Sequence, residues 1–277
     1  MKLGVLVNLN AQSSIAEKIK KVHDMGFGYC QISCWDMACY NDETADQIKA
    51  ACAEYGVTVS TLWTGWSGRG FWNFYEGQHT LGLVPEAYRF QRILDLKAGS
   101  DFAKKLGVGQ IATHAGFIPE DPTTEKYHGL IYALREVASY VKDNGQYFLF
   151  ETGQETPITV VRAIHDIGTG NAGINFDTAN VILYGKSSAV DSVKIFGQYV
   201  RNLHLKDGNF PTDPYHLGKE TPLGEGSVNV PEVLRLLKEC GYTGPYIMER
   251  EISGEKQIED IKNGRELVLS VLKSLEE

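Results

Sequence analysis

Short apolar segments alternate along this chain with longer stretches in which apolar residues recur at helical spacing. This pattern predicts buried strands separated by amphipathic helices. The predicted strands are 2–7, 28–33, 57–64, 108–113, 147–151, 173–177, 200–204 and 245–249. The predicted helices are 11–25, 43–55, 85–106, 123–144, 156–167, 187–199, 231–240 and 255–275. Six of the helices are followed by a glycine, which can adopt the left-handed conformation that ends a helix: Gly26, Gly56, Gly107, Gly145, Gly168 and Gly241.

Strands that alternate with helices indicate a parallel sheet, and eight such units in this length fit a (β/α)8 TIM barrel of the α/β class. The alternative is a doubly wound open sheet. No GxGxxG motif follows the first predicted strand and the sequence contains no P-loop, which argues against that alternative. No linker rich in Pro, Gly or Ser interrupts the pattern, so we predict one domain over 1–277. Two long loops, 65–84 and 206–230, follow strands and are expected on the active-site face.

Composition restricts the class of function. The chain has 277 residues and a net charge of −8, which disfavours a nucleic-acid backbone as partner because such binding needs a basic face. No uninterrupted apolar run approaches the roughly 18 residues of a membrane span, so no membrane association is expected. The apolar run near Met1 is too short for a secretory signal, and five cysteines, an odd number, favour reduced thiols. We therefore expect a cytoplasmic protein.

Four successive predicted strands in the second half end on a residue that commonly binds metal ions. These residues are Glu151, Asp177, His204 and Glu249. In a barrel, the carboxyl ends of neighbouring strands meet on one face, where active sites are built. A charged residue that ends a buried run is costly unless it is paired or metal-bound. Three carboxylates and one imidazole therefore predict a site for one divalent ion, and Mn²⁺, Mg²⁺, Co²⁺ and Zn²⁺ are all compatible with this ligand set.

The same residues lie in segments that resemble the xylose-isomerase-like TIM barrels, which include sugar and sugar-phosphate isomerases and epimerases. The resemblance extends over nearly the whole chain and is densest from 147 to 253. The segments that carry it are FETGQE (150–155), NFDTAN (175–180), HLKDG (204–208), PLGEG (222–226), GYTGP (241–245) and IMERE (247–251).

The resemblance implies that Glu151, Asp177, His204 and Glu249 bind one divalent ion, most often Mn²⁺, and that Glu151 and Glu249 are also the catalytic acid and base. The implied reaction is isomerisation or epimerisation of a sugar, a keto-sugar derivative or a sugar phosphate. A proton is abstracted next to a carbonyl, and the metal stabilises the resulting cis-enediolate. Return of a proton to the same carbon inverts it, whereas return to the neighbouring carbon moves the carbonyl. The family often forms homodimers or homotetramers.

Four further residues are predicted to contact the carbohydrate. His114 ends the fourth strand and is either a hydroxyl contact or a hydrogen-bonded core histidine. Lys206 should face the same side as His204 by strand alternation and either holds an oxyanion or phosphate or forms a salt bridge. Trp66, with Trp63 and Trp72 nearby, either packs on a sugar or packs under its own loop. Asn180 stands where ketose 3-epimerases carry a histidine, which weakens assignment to that branch.

Two other activities use the same barrel. A metal-dependent dehydratase begins with the same proton abstraction. An abasic-site endonuclease would need three zinc ions and more histidine ligands than this chain offers, since it has seven histidines and Asn180 replaces one expected ligand. The strongly negative net charge also disfavours the endonuclease.

Overall fold

Eight parallel strands close into a barrel in the computed structural model of this protein, which describes residues 1–276. Each strand pairs with its neighbours in chain order, and the last strand pairs with the first, Leu3 opposite Tyr246. The barrel strands are β1 (Leu3–Leu9), β2 (Tyr29–Cys34), β3 (Thr58–Thr64), β4 (Gln110–Thr113), β5 (Tyr147–Glu151), β6 (Ala172–Asp177), β7 (Val200–Leu205) and β8 (Tyr246–Met248). The predicted (β/α)8 barrel is confirmed.

A helix follows each barrel strand and covers the outside of the sheet. These helices are α1 (Ile15–Asp24), α2 (Asp42–Tyr55), α3 (Glu86–Leu106), α4 (Glu125–Asp143), α5 (Pro157–Ile167), α6 (Ala189–Phe196), α7 (Val230–Glu239) and α8 (Glu255–Ser274). The main apolar core lies between the strands and this helical layer. None of the helices within residues 1–276 is both long and apolar enough to cross a membrane.

The glycines predicted to end helices all adopt the left-handed conformation. Their φ angles lie between 65° and 80°. In Gly56, for example, φ is 65° and the backbone N–H donates to the carbonyl of Cys52, which closes the last turn of α2. These glycines set the direction in which the chain returns from each helix to the barrel.

Short elements not expected from the sequence occur in the loops on the carboxyl side of the strands. The 65–84 loop contains a helical turn, Gly77–Thr80, and a second turn, Asn180–Leu183, follows β6. The 206–230 loop contains an antiparallel hairpin, Asp207–Asn209 with Lys219–Thr221. These elements are too short for a periodic signal in the sequence.

The barrel interior is polar beneath the strand ends. Asn202, on β7, donates from its side-chain amide to Oδ1 of Asn175 and to Oε1 of Gln31, each at 2.5 Å. All three side chains are fully buried. Asn175 in turn donates to Glu151, which stands at the tip of β5. A chain of amides therefore connects three strands across the barrel to one predicted metal ligand.

Candidate metal centre

Strand register brings the four predicted ligands together at the carboxyl end of the barrel. Asp177 lies directly opposite His204, and Glu151 lies opposite Asn175 on the neighbouring strand. Glu249 is one residue beyond β8, and its N–H donates to the carbonyl of Leu205, so the sheet fixes it as well. Adjacent strands of a closed barrel thus place side chains that are distant in sequence around one point.

Each of the four side chains offers one ligand atom, and these atoms all lie within 4.8 Å of one another. The Nδ1 atom of His204 is 3.0 Å from Oε1 of Glu151, 2.9 Å from Oε2 of Glu249 and 3.9 Å from Oδ2 of Asp177. All four residues are buried, with Glu249 the most accessible at 7%. The cluster is therefore compact enough for its members to share one cation.

Asp177 and Glu151 each accept hydrogen bonds from neighbouring amides with one carboxylate oxygen. The other oxygen of each faces the rest of the cluster. Oδ1 of Asp177 accepts from the backbone N–H groups of Ala179 and Asn180, at 2.8 and 2.7 Å. Oε2 of Glu151 accepts from Asn175. Within residues 1–276, the inward atoms of the cluster have no hydrogen-bond partner of suitable geometry: Oδ2 of Asp177, Oε1 of Glu151, Oε2 of Glu249 and Nδ1 of His204.

This donor set fits a divalent cation. Buried polar atoms without hydrogen-bond partners are rare and call for a bound group. Here they are three carboxylate oxygens and one imidazole nitrogen, and they converge on one point. Ligands of these types suit Mg²⁺, Mn²⁺ and Zn²⁺.

The charges of the cluster are mutually dependent. Burial raises the pKa of Glu151, and it raises the pKa of Asp177 well above its usual range. Burial acts in the same direction on Glu249, but the Lys206 and His204 charges outweigh it and lower its pKa. Burial disfavours charge on His204, yet Glu151 and Glu249 hold its pKa well above the ordinary value. A divalent cation would stabilise the ionised carboxylates that burial otherwise disfavours.

Lys206 is buried beside this cluster and is engaged by the protein. Its Nζ atom lies 2.7 Å from Oε1 of Glu251, donates to Oδ1 of Asn180 at 3.1 Å, and is 3.6 Å from Oδ2 of Asp177. Of the two roles that the sequence left open, the structure shows the salt bridge. A contact from Lys206 or Asn180 to a substrate stays a prediction.

A cavity of about 380 Å³ reaches the cluster at Glu249. His114, Asn180 and Glu249 line it, so the structure brings these predicted residues to one place. Three tryptophans form an aromatic wall, Trp35, Trp63 and Trp72. The Trp63 ring lies 5.7 Å from that of His204, and Trp72 lies 4.7 Å from that of His114.

Trp66, the tryptophan predicted to contact substrate, is not among the cavity-lining residues in the described part of the chain. Its ring packs edge-on against Trp35 at 4.9 Å, and the Arg92 guanidinium lies 3.7 Å from its centroid. The second alternative from the sequence, packing under the loop, is therefore what the structure shows. The aromatic surface available to a ligand belongs to Trp35, Trp63 and Trp72.

Arg92 holds the 65–84 loop in place. Its fully buried guanidinium donates to four backbone carbonyls of the loop at 2.6–3.1 Å, those of Ser67, Arg69, Thr80 and Gly82. Asp95, one turn further along α3, accepts from the N–H and hydroxyl of Ser67. These contacts fix the loop that carries Trp72 over the cavity.

Asp207 organises the second loop in a similar way. Its carboxylate accepts from four backbone N–H groups at 2.8–3.1 Å, those of Gly208, Gly224, Gly226 and Val228. Arg250 points away from the cavity and pairs with Glu220 and Asp260, at 3.0 and 2.9 Å. Asp207 and Arg250 therefore stabilise the loops around the cavity rather than line it.

Sequence reasoning missed several cavity residues. Gln154 lies in the FETGQE segment, but its side chain carries no charge that would draw attention to it. Trp35 directly follows β2, so the rule that strand ends build the site could have found it. Tyr184 follows a helical turn, and no local pattern marks it.

Comparison with known proteins places the chain in a family. A sequence model of the xylose isomerase-like TIM barrel matches residues 19–272, and the chain belongs to that family. It is 28% identical over 178 residues to an uncharacterized protein of Methanocaldococcus jannaschii, and the alignment spans 60% of this chain and 57% of that relative.

Solved structures agree with this placement. A xylose isomerase domain protein from Planctomyces limnophilus superposes with a TM-score of 0.92 at 29% identity, covering 99% of both chains. A xylose isomerase-like barrel from Mycobacterium smegmatis, in complex with magnesium, gives 0.71 at 20% identity over 95% of this chain and 90% of that one. A D-tagatose 3-epimerase-like protein gives 0.75 at 20% identity over 100% and 98%. Further structural neighbours are sugar epimerases, among them L-ribulose 3-epimerase at 0.73 and 16% identity, over 99% and 96%.

Proposed function

We propose that this protein is a divalent-metal-dependent sugar isomerase or epimerase. The observation that carries the proposal is the convergence of four buried ligand atoms within 4.8 Å beside an aromatic-walled cavity that Glu249 lines. Sugar epimerases among the structural neighbours share the fold, and one neighbour was crystallised with magnesium. We favour Mn²⁺ or Mg²⁺ as the metal on the basis of the oxygen-rich ligand set.

Glu151, Asp177, His204 and Glu249 would hold the ion. When bound, it would act as a Lewis acid that polarises a substrate carbonyl and so acidifies the neighbouring C–H bond. Asp177 is oriented by the backbone amides of Ala179 and Asn180, and Glu151 by Asn175. Such support keeps each ligand in one orientation.

Glu151 and Glu249 are proposed as the acid and base. They are on non-adjacent strands, β5 and just after β8, so they approach the centre from different sides. One carboxylate removes the proton next to the carbonyl and the other returns one. The tryptophan wall excludes water and presents apolar faces to the C–H surface of a sugar ring.

Solvent exchange tests the proposal. Metal-loaded protein is incubated in D2O with D-tagatose, D-psicose, L-ribulose and a 3-keto-D-glucoside, and loss of C–H signals is followed by NMR. We expect exchange and a new epimer or isomer with at least one of these sugars. Exchange with none of them would contradict the proposal, and loss of water from the product would indicate a dehydratase instead.

Isosteric variants separate the acid/base roles from folding. Glu151→Gln and Glu249→Gln should each reduce exchange by about 10²-fold or more, which is the usual scale for a general acid or base. Glu17→Gln, at an exposed position on α1, is the matched control and should retain activity. Full activity in both site variants would contradict the assignment.

A further inference from the structure

Two polar side chains on one wall of the cavity each carry a donor that makes no well-formed hydrogen bond. Gln154 and Tyr184 both line the cavity. Their Nε2 and Oη atoms are buried, and apart from their contact with each other, which lowers the pKa of Tyr184 slightly against the effect of burial, neither meets a hydrogen-bond partner of good geometry in residues 1–276. Burying a donor without a partner is unfavourable. Neither atom belongs to the metal cluster, so the ligand set does not account for them.

Neighbouring contacts fix the orientation of Gln154. Its Oε1 atom lies 3.1 Å from Nδ1 of His114. An amide oxygen only accepts, so Nδ1 of His114 carries the hydrogen in this pair. Burial lowers the pKa of His114 to about 3, which keeps its imidazole neutral. With Oε1 engaged, Gln154 presents only N–H donors to other groups.

Packing of the loop after β5 brings Gln154 close to Tyr184. Gly153 lies so close to this wall that an added Cβ would be 3.2 Å from Cβ of Asn180 and 3.5 Å from the Tyr184 ring. The Tyr184 ring is held edge-on by Phe74 and Phe117, at 6.3 and 5.8 Å. The phenol is thus held in position, and its pKa is raised to about 12 by burial, so it keeps its O–H.

Charge determines which kind of ligand oxygen suits this wall. The charged residues that line the cavity are Glu249 and Glu251, and no lysine or arginine lines it within residues 1–276. Lys206 is already paired with Glu251. A phosphate group on this wall would therefore meet carboxylates and no lysine or arginine side chain, whereas a neutral hydroxyl or carbonyl oxygen would satisfy the donors.

We infer that Gln154 Nε2 and Tyr184 Oη together bind one neutral oxygen of the substrate, and that the cavity accepts an uncharged sugar or glycoside and rejects a sugar phosphate. This inference rests on the proposed function for the identity of the ligand as a carbohydrate. It assigns specificity to two residues outside the metal cluster, one from the loop after β5 and one from the segment after β6.

Ligand binding can be measured without turnover, because three tryptophans line the cavity and their fluorescence should change when it is occupied. The probes are D-tagatose, D-psicose, D-fructose and D-fructose 6-phosphate, titrated into Mn²⁺-loaded protein. We expect at least one uncharged sugar to bind and the phosphate to bind at least about tenfold more weakly than D-fructose or not at all. Equal or tighter binding of the phosphate, or no binding of any uncharged probe, would overturn the inference.

Tyr184→Phe and Gln154→Leu test the two donors. Each should weaken binding of the best uncharged sugar by about tenfold, on the scale of one hydrogen bond, and should raise KM more than it lowers kcat in the exchange assay. Tyr75→Phe, on the exposed rim of the cavity loop, is the matched control and should bind as the unaltered protein does. Unchanged affinity in both site variants would overturn the inference.

The two proposals fail in different ways. If sugars bind through Gln154 and Tyr184 but show no exchange, the proposed epimerase activity is contradicted and the proposed binding site stands. If exchange proceeds equally well in Tyr184→Phe and Gln154→Leu, the proposed activity stands and the specificity role of the two residues is contradicted. Circular dichroism and thermal unfolding of each variant verify that the barrel is intact.

Discussion

Glu155 is a buried acid whose neutralisation should stabilise the protein at alkaline pH. It follows Gln154 in the loop after β5 and is 2% exposed. Neither carboxylate oxygen has a hydrogen-bond partner of good geometry among residues 1–276. Burial raises the pKa of Glu155 from 4.5 to about 8, and backbone N–H groups of the same loop together with the positive charge of Lys186 offset only part of this effect. Glu155→Gln replaces the carboxyl with a neutral group of the same shape.

The direction of the pH effect follows from proton binding. The folded state binds the proton of the Glu155 carboxyl group more tightly than the unfolded chain does. The contribution of this group to the free energy of unfolding is therefore fully present below about pH 4.5. It is lost as pH rises towards about 8. A shift of one pKa unit corresponds to about 1.4 kcal/mol. Between pH 5 and pH 8 the protein should therefore lose about 3–4 kcal/mol relative to Glu155→Gln.

Urea denaturation at pH 5, 6, 7 and 8 measures this difference. Both proteins are studied in EDTA, so that metal binding does not add its own pH dependence. The free energy of unfolding of Glu155→Gln should exceed that of the unaltered protein at pH 8, and the difference should shrink towards pH 5. Glu17→Gln, at an exposed site on α1, should show little pH-dependent difference. A difference that is independent of pH, or largest at pH 5, would refute the reasoning.

Three further substitutions test the supports of the site. Arg92→Met removes four hydrogen bonds to the 65–84 loop and should cost about 3 kcal/mol or more in urea denaturation; unchanged stability would contradict the anchoring role. Asn175→Ala removes the amide that orients Glu151, so Mn²⁺ affinity in calorimetric titration should fall about 10–100-fold; unchanged affinity would exclude this role. Asp207→Ala leaves four backbone N–H groups without their acceptor and should lower the free energy of unfolding by about 2–4 kcal/mol, whereas a change below about 0.5 kcal/mol would contradict the structure.

The fold could be predicted from the sequence because its signals are local and repeated. Each unit carries a buried strand and an amphipathic helix, and six of the eight also carry a glycine, such as Gly56, that ends the helix with a positive φ. The order of barrel strands then follows from chain connectivity. The hairpin in the 206–230 loop was not predicted because its strands have three residues each, and its geometry depends on the Asp207 carboxylate rather than on local pattern.

The candidate metal ligands were predictable for the same reason, since each lies within one residue of the end of a buried strand. Trp66 shows the limit of this reasoning. Whether a loop tryptophan faces the cavity or the interior depends on its tertiary neighbours, and here the distant Arg92 stacks on Trp66 and leaves Trp72 to the cavity. Tyr184 was missed because its importance lies in a buried hydroxyl without a well-formed hydrogen bond, which only three-dimensional packing reveals.

The most direct test of the metal centre is a calorimetric titration of Mn²⁺ into protein stripped with EDTA. We expect one ion to bind per chain, because Glu151, Asp177, His204 and Glu249 converge on a single point. The isosteric variant Asp177→Asn should lower the affinity sharply while its circular dichroism spectrum stays unchanged. Absence of stoichiometric binding, or equal affinity in Asp177→Asn, would contradict the assignment of this cluster as a metal site.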